Sequence, residues 1–427
     1  MRWYWWAVLA SFLSPGVEAI MVAVGEWWFH ARFRRNRTRF TQLIIQITTT
    51  GREEIRVNEI ISEIHDYGLS MPFAVWVVNE PGLNDRYPHA DRVITVDPDF
   101  TSRAEYKARA LEYSRQIRQR EGLARDDVKI LFIDDDTSPT RAYIETAFVG
   151  DYDLCQGVTT PRIKYGAGPF RHFLLSHMDD MRFLACFIYC SFFQGVIGRP
   201  VYVHGEGLCI TGNAESVTTW NYPMFASEDL VFGQNAAFKG TTKDLACSSP
   251  GAKRDLQWGF FHEYIQLTSP WTWEAYLKQR RRWLWGNIHA MTHRDVLPFG
   301  ATFLVAAKYL LGLYTYGSSS AAIVLILSGV IHPPQQVYTW CYASLFAWLA
   351  AFAVSGWVNS ELPASAVRSR IGHFGHRLGQ SIAAVVLCPV TASWTCIALF
   401  VAFFMGNPRS FEVIAKTADS SRKKVRA

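Results

Sequence analysis

Between residues 42 and 286 short apolar runs alternate with amphipathic stretches, and long apolar segments lie on either side. Residues 43–48, 73–78, 92–96 and 128–133 are apolar runs of strand length. Residues 52–64 place apolar side chains at helical spacing, and residues 103–120 have helical composition with Tyr106, Ala110 and Tyr113 on one face. Strands that alternate with helices predict an α/β domain, a mostly parallel sheet with helices on both faces. Such sheets collect ligands at the carboxyl ends of their strands. Residues 181–193 read as a core or membrane-surface helix. Residues 201–211 read as strand-like, with Gly205 and Gly207 permitting close approach of a backbone or ligand.

The apolar segments predict membrane helices. Residues 336–358 and 378–404 are each long enough to span, and a bundle tolerates Pro389 in the second. Residues 299–331 are apolar but broken by Gly312, Gly317 and a serine run, so they predict one span plus an interfacial helix, or a hairpin of two. At the N-terminus residues 3–25 are apolar apart from Glu18, and Arg32, Arg34, Arg35 and Arg37 follow them. Basic residues after the apolar stretch fit a retained anchor with a cytoplasmic flank better than a signal peptide. The expected organisation is an anchor at 1–28, a cytosolic domain with interfacial helices at 42–286, a transmembrane helix region at 299–405 and a basic tail at 406–427. Glu18 and Lys308, the notable charges in apolar segments, are expected near segment ends, where such side chains snorkel.

Composition narrows the picture. Sixteen tryptophans suit membrane interfaces, where an amphipathic ring fits a half-wet site. The net charge of +6 lies largely in short clusters beside apolar runs, with no basic face interleaved with aromatics, so no nucleic-acid partner is expected. None of the eight cysteines forms a CxxC pair, and several lie in apolar runs. They read as reduced, buried thiols, with no disulfide framework or zinc site inferred.

Three clusters carry chemistry. Asp134, Asp135 and Asp136 directly follow the run 128–133. Alternate residues of an extended segment point to one side, so Asp134 and Asp136 would face one pocket. Crowded carboxylates repel one another unless a cation lies between them, and Mg2+ or Mn2+ on oxygen ligands meets that need. The competing reading has Asp136 start a helix through residues 140–148. Glu228 and Asp229 are either a helix start capped by Ser227 or a base that takes a proton from an attacking hydroxyl. Gln279, Arg282 and Trp283 lie in a helical stretch, residues 273–285, as Gln-x-x-Arg-Trp. That stretch is either a basic interfacial helix with aromatic anchors or a grip. In the grip, the guanidinium of Arg282 neutralises a diphosphate and Trp283 offers a flat ring to a sugar.

In this order and ahead of spanning helices, the clusters resemble the membrane-bound family 2 glycosyltransferases, whose catalytic domain has the GT-A fold. More narrowly, the chain is similar to egghead-type β-1,4-mannosyltransferases in Gln46-Ile47-Thr48-Thr49-Thr50-Gly51, Tyr106-Lys107-Ala108-Arg109-Ala110-Leu111 and Phe132-Ile133-Asp134-Asp135-Asp136-Thr137. Gln156-Gly157-Val158-Thr159, Ser227-Glu228-Asp229 and Gln279-Arg280-Arg281-Arg282-Trp283-Leu284 continue the likeness. It implies a nucleotide-sugar donor, with Thr49, Thr50 and Glu80 bordering the base and Lys107 near the diphosphate. Asp134 would hold the donor and, with Asp136, a Mg2+ or Mn2+ ion. Asp229 would be the catalytic base beside Glu228. Gln279, Arg282 and Trp283 would close over diphosphate and acceptor, with His204, Gly205 and Gly207 beside the acceptor path. The chain departs from the pattern where Asp135 and Asp136 replace glutamates and where Asn79-Glu80-Pro81 replaces an aspartate-containing turn.

The implied activity is inverting, β-linked transfer from GDP-mannose to a membrane glycolipid. The wider resemblance implies a processive polysaccharide synthase using a UDP-sugar and a polysaccharide acceptor. A membrane scaffold or transporter would leave the three clusters unexplained. The expected setting is a multi-pass integral membrane protein with a cytosolic catalytic domain and membrane lipids as partners, in the plasma membrane or in the Golgi or endoplasmic reticulum.

Overall fold

The computed structural model describes residues 3–51, 53–79, 87–161, 170–238, 256–293, 295–358 and 370–408. Glu80 and all but the first three residues of the 406–427 tail lie outside the described residues. Helix α1 (Trp3–Arg32) leads into an eight-stranded sheet. Its first half is parallel: β1 (Gln42–Thr49), β2 (Phe73–Asn79), β3 (Arg92–Thr95) and β4 (Val128–Asp134) lie in the order β3-β2-β1-β4.

Strand β1 shows why its residues form a central strand. Leu43, Ile45 and Ile47 join one core with Val57, Ile60, Ile61 and Ile64 of α2 (Glu54–Asp66). Ile44 points to the other face, into a core with Ala110 and Leu111 of α3 (Tyr106–Arg120). A strand covered on both faces carries a nearly continuous apolar run instead of a strict alternation, here Leu43–Ile45 and Ile47, with Gln46 buried as a polar partner of Arg118.

Among the described residues four of the seven strand pairings are parallel, as expected of a mostly parallel sheet, and the second half of the sheet carries the three antiparallel ones. It holds β5 (Thr137–Pro139), β6 (Leu154–Pro161), β7 (Cys209–Thr211) and β8 (Trp258–Leu267), in the order β4-β7-β6-β8-β5. β7 is antiparallel to β4 and β6, β5 is antiparallel to β8, and β6 and β8 are parallel. The sheet is mixed. Apolar periodicity records which residues are buried, not the direction of the neighbouring strand. Of residues 201–211, expected to be strand-like, 201–208 run as turns and loop, and only Cys209–Thr211 forms a strand. Nor does Asp136 start a helix. The chain passes through β5, and Thr140 caps α4 (Arg141–Val149) by accepting from the Tyr143 N–H at 3.1 Å.

Of the expected face of α3, Ala110 is buried and Tyr113 packs half-buried against the core, whereas Tyr106 is exposed. Leu111, Ser114 and Arg118 are buried as well. Arg118, 1% exposed, grips Glu215 of α7 (Gly212–Thr218) through Nε to Oε2 at 2.9 Å and Nη2 to Oε1 at 2.5 Å, and also bonds Gln46 of β1. Trp220 Nε1 donates to the same Glu215 at 3.0 Å.

Helices α5 (Phe170–Met178) and α6 (Asp180–Ala185) and a π-helix (Cys186–Val196) link the domain to the apolar helices. After α8 (Glu228–Phe238) and β8 come α9 (Trp273–Thr292), α10 (Phe299–Leu327), α11 (Gln335–Val358) and α12 (Arg370–Phe404). Residues 299–327 form one helix through Gly312 and Gly317, not a hairpin or a broken pair. Among the described residues, α10 and α11 are long and apolar enough to cross a membrane. α12 makes a third span if its arms Ile371–Cys388 and Ser393–Phe404, bent by 55°, count as one. Phe303, Leu310, Phe346, Val386 and Phe400 are exposed on these helices, an apolar surface suited to lipid. α1 is not among the helices of that apolarity, and it packs against α10, α11 and the π-helix. Glu18 and Lys308 do not snorkel. Glu18 is buried and accepts from the Tyr189 hydroxyl at 2.7 Å, and the Lys308 ammonium lies 3.4 Å from the centre of the Tyr202 ring.

Removing one partner of a buried ion pair strands the other charge in a low-dielectric interior. Glu215→Ala is expected to lower stability by about 3–5 kcal/mol, whereas the paired replacement Arg118→Met with Glu215→Leu costs far less. Thermal and denaturant unfolding of the detergent-solubilised protein measures both. An equal loss in the two variants would show that packing, not charge, dominates there.

Candidate active site

The carboxyl ends of β1 and β4 lie side by side, because Thr48 pairs in register with Asp134. Asp134 is the last residue of β4, and Asp135 and Asp136 form the turn into β5. A turn, not extended alternation, thus carries all three carboxylates to one wall of a cavity of about 950 Å³. Thr49 and Thr50 line the same cavity, and the Thr49 hydroxyl donates to Asp135 Oδ2 at 2.8 Å.

Two helix starts supply the opposite wall. Lys107 lies in the first turn of α3, and Glu228 and Asp229 open α8. Each helix is entered through a non-glycine residue at positive φ, Tyr106 at 51° and Ser227 at 62°. Backbone held in that region carries strain and tends to cluster at functional sites. Lys107 Nζ donates to Asp134 Oδ1 at 2.5 Å and stands 3.4 Å from Glu228 Oε1, so one ammonium bridges the two acidic clusters. Asp229 Oδ1 accepts from the Leu230 N–H at 2.9 Å.

The third group comes from α9, whose Gln279, Arg282 and Trp283 all reach the cavity. Trp283 is less open to a stacked sugar than a flat exposed ring would be. The guanidinium groups of Arg182 and Arg280 each lie 4.7 Å from its ring centre. Arg280 is itself held by Asp179 at 2.8 Å, and Arg182 pairs with Glu206.

The turns 201–208 close the floor. His204 lines the cavity. A Cβ on Gly205 would stand 2.8 Å from Lys107 Nζ and 3.4 Å from Asp229 Oδ2, so only glycine leaves that corner clear. Gly207 is not in the cavity wall. With φ 78°, it packs against Tyr143, whose hydroxyl donates to the Gly207 carbonyl at 2.7 Å.

Sequence reasoning missed Arg182, Tyr202 and Glu206 in this wall. Arg182 stands at the edge of an apolar segment. Glu206, a carboxylate between two glycines, was the one available signal.

Burial first, and then crowding, govern the charges. Burial pushes Asp134 up to about 6 and Asp135 up to about 7, Asp136 adding repulsion to both while Lys107 opposes the shift at Asp134 and Thr49 at Asp135. Burial and then the Glu228 carboxylate push Asp229 up to about 7 against the pull of Lys107. Burial works against the Lys107 charge, yet Asp134, Glu228 and Asp229 together hold it above the ordinary lysine value. Glu206 goes the other way, held at about 2 despite burial by Arg182, His204 and Lys107. The wall formed by residues 134–136 is a hard-oxygen donor set under mutual repulsion, which suits a Mg2+ or Mn2+ ion.

Residues 129–356 match the family described as glycosyl transferase family group 2. Among solved structures, the mannosyltransferase PcManGT from Pyrobaculum calidifontis, in complex with GDP-Man and Mn2+, is similar over 90% of this chain and 98% of its own, at 12% identity and a TM-score of 0.45. A mycobacterial protein is similar over 58% of this chain and 68% of its own, at 14% identity and a TM-score of 0.30. No curated protein is significantly similar to the chain. The curled mixed sheet with its helices matches a GT-A-like α/β fold. Because the family match spans more than half the sequence and runs from β4 through α9 into α11, enclosing all three chemical clusters, the chain belongs to glycosyl transferase family group 2.

Proposed function

We propose that the protein is an inverting glycosyltransferase that moves mannose from GDP-mannose, with β-linkage, onto a membrane glycolipid. The observation that carries this reading is the convergence of residues 134–136, Lys107, Glu228 with Asp229, and Gln279 with Arg282 and Trp283 on one cavity. The donor sugar follows the egghead-type resemblance of residues 46–51, 106–111 and 132–137. The membrane setting follows α10, α11 and the bent α12 beside the domain. The basic segment that follows α1 is tied to the domain, the Arg34 N–H donating to the Tyr152 hydroxyl and Arg39 pairing with Asp151, which fits a cytosolic catalytic domain.

In the proposed reaction Asp229 takes the proton of an acceptor hydroxyl. The acceptor oxygen attacks the anomeric carbon from the face opposite the diphosphate, the bond from that carbon to the diphosphate oxygen breaks, and the configuration inverts. Gly205 leaves room beside Asp229 for the acceptor hydroxyl, and Arg282 faces the departing diphosphate. Thr49 and Thr50 border the nucleotide, and Lys107 joins the donor wall to the start of α8 by contacting Asp134 and Glu228. A divalent cation on Asp134 and Asp136 would bind the diphosphate oxygens and offset the charge that develops on them.

Asp229→Asn is expected to reduce transfer by about 10²- to 10⁴-fold with donor binding retained. Turnover and nucleotide-binding assays on the detergent-solubilised protein separate the two; unchanged turnover would remove Asp229 from the role of base. A carboxyl is a base only when ionised, and this one is pushed up to about 7. The wild-type rate is therefore expected to fall about tenfold per unit as pH drops below about 7, instead of near the ordinary carboxylate value of about 4.

A donor screen tests the sugar. Release of GDP is expected from GDP-mannose with Mn2+ or Mg2+ and is expected to stop with chelator. Release from a UDP-sugar instead would reassign the protein to polymer synthesis.

A further inference from the structure

Below the cavity floor, the turns 201–208 meet the π-helix. Cys186, Cys190 and His204 come together there, all buried, with their ligand atoms within 4.8 Å of one another. Among the described residues this is the one His, Cys and carboxylate group of that compactness. Cys190 Sγ stands 3.4 Å from His204 Nε2. In tetrahedral zinc sites, metal–sulfur bonds of about 2.3 Å and metal–nitrogen bonds of about 2.0 Å place neighbouring sulfur and nitrogen about 3.6 Å apart. Cys190 and His204 already stand close to that spacing, with the Cys186 sulfur within 4.8 Å of both.

The surroundings have the form of a built site. The backbone of His204 is clamped on both sides by one side chain: Gln156 Nε2 donates to its carbonyl at 2.8 Å and Gln156 Oε1 accepts its N–H at 3.3 Å. Gln194 Nε2 donates to the Tyr202 carbonyl at 2.6 Å and to Gln156 Oε1 at 3.3 Å, which extends the clamp. The sulfurs have only long contacts to oxygen, Cys186 to the Gly157 carbonyl at 3.6 Å and Cys190 to the Tyr202 carbonyl at 3.9 Å. Nearby, the Lys308 side-chain nitrogen is held over the Tyr202 ring, 3.4 Å from its centre. Two thiolates and an imidazole make a neutral set around a divalent ion. Around a monovalent ion they carry one negative charge.

We propose that Cys186, Cys190 and His204 bind a thiophilic d10 cation, Zn2+ or Cu+, separate from any cation on Asp134 and Asp136. The role assigned is structural. The ion fastens the turns 201–208 to the π-helix, and with them Gly205, which sits against Lys107 and Asp229. Soft thiolate ligands select such ions over Mg2+ or Mn2+. The inference stands without the proposed donor or acceptor.

Full-length protein purified in detergent under reducing, anaerobic conditions, and assayed for metal by plasma mass spectrometry, tests it. About one equivalent of Zn2+ or Cu+ per chain is expected, retained through a chelator wash that removes Mn2+. The ion found identifies which charge balance holds. Cys186→Ser is expected to weaken retention by roughly tenfold or more. Should that variant fail to fold, the wild-type protein still reports. Reconstitution with Zn2+ or Cu+ should shield two thiols from alkylation, and Co2+ should produce a thiolate charge-transfer band. Sub-stoichiometric metal together with no shielding by either ion would overturn the proposal, as would full retention in a folded Cys186→Ser protein.

Discussion

One buried ammonium organises the site. Asp134, Asp135, Asp136, Glu228, Asp229 and Glu206 face a single cavity, and that much negative charge cannot be buried unopposed. Lys107 stands between the two acidic clusters, within ion-pair distance of Asp134 and Glu228. It joins the end of β4 to the start of α8, two parts of the chain separated by almost one hundred residues. The corner it occupies leaves no space for a side chain at Gly205, so the turns 201–208 are shaped around it.

The same logic repeats one layer out. Glu206 balances Arg182, Asp179 balances Arg280, and both arginines lie over Trp283. α9 therefore does not simply float at an interface as a basic amphipathic helix. On its far side the Arg281 guanidinium donates to the Gly406 carbonyl at 2.7 Å, and Trp285 Nε1 donates to the Ala402 carbonyl at 3.1 Å, at the end of α12. A rigid helix thus links the cavity to the apolar helices, and displacement of either end would be felt at Gln279, Arg282 and Trp283.

Much of this was legible in the sequence, because some of its signals are local. The apolar runs that became β1, β2 and β4 are largely buried, with core residues on both faces in β1, and such burial leaves a nearly continuous apolar mark. The acidic clusters and the Gln-x-x-Arg-Trp spacing were visible as chemistry, and the structure brings them to one cavity. The direction of β7 and the length of its pairing were not legible, since burial patterns are silent about a neighbour's orientation. The burial of Arg118 in α3 was not legible either, because a charged residue reads as exposed. Only its partner Glu215, almost one hundred residues away, makes that burial tolerable.

The cysteines mark the boundary most clearly. Without a CxxC spacing they read as inert thiols. Cys186 and Cys190 reach His204 only because one turn of the π-helix aligns them and a loop fourteen residues on folds back over it. By itself the sequence determined the α/β alternation, the apolar helices and the residue types available for sugar-transfer chemistry, because helix and strand periodicity and side-chain chemistry are properties of short stretches. The tertiary structure alone decided which charges oppose one another, that Glu18 and Lys308 turn inward, and that Gly205 must lack a side chain. Electrostatic balance and close packing are relations between distant parts of the chain, and those relations exist only once the chain has folded.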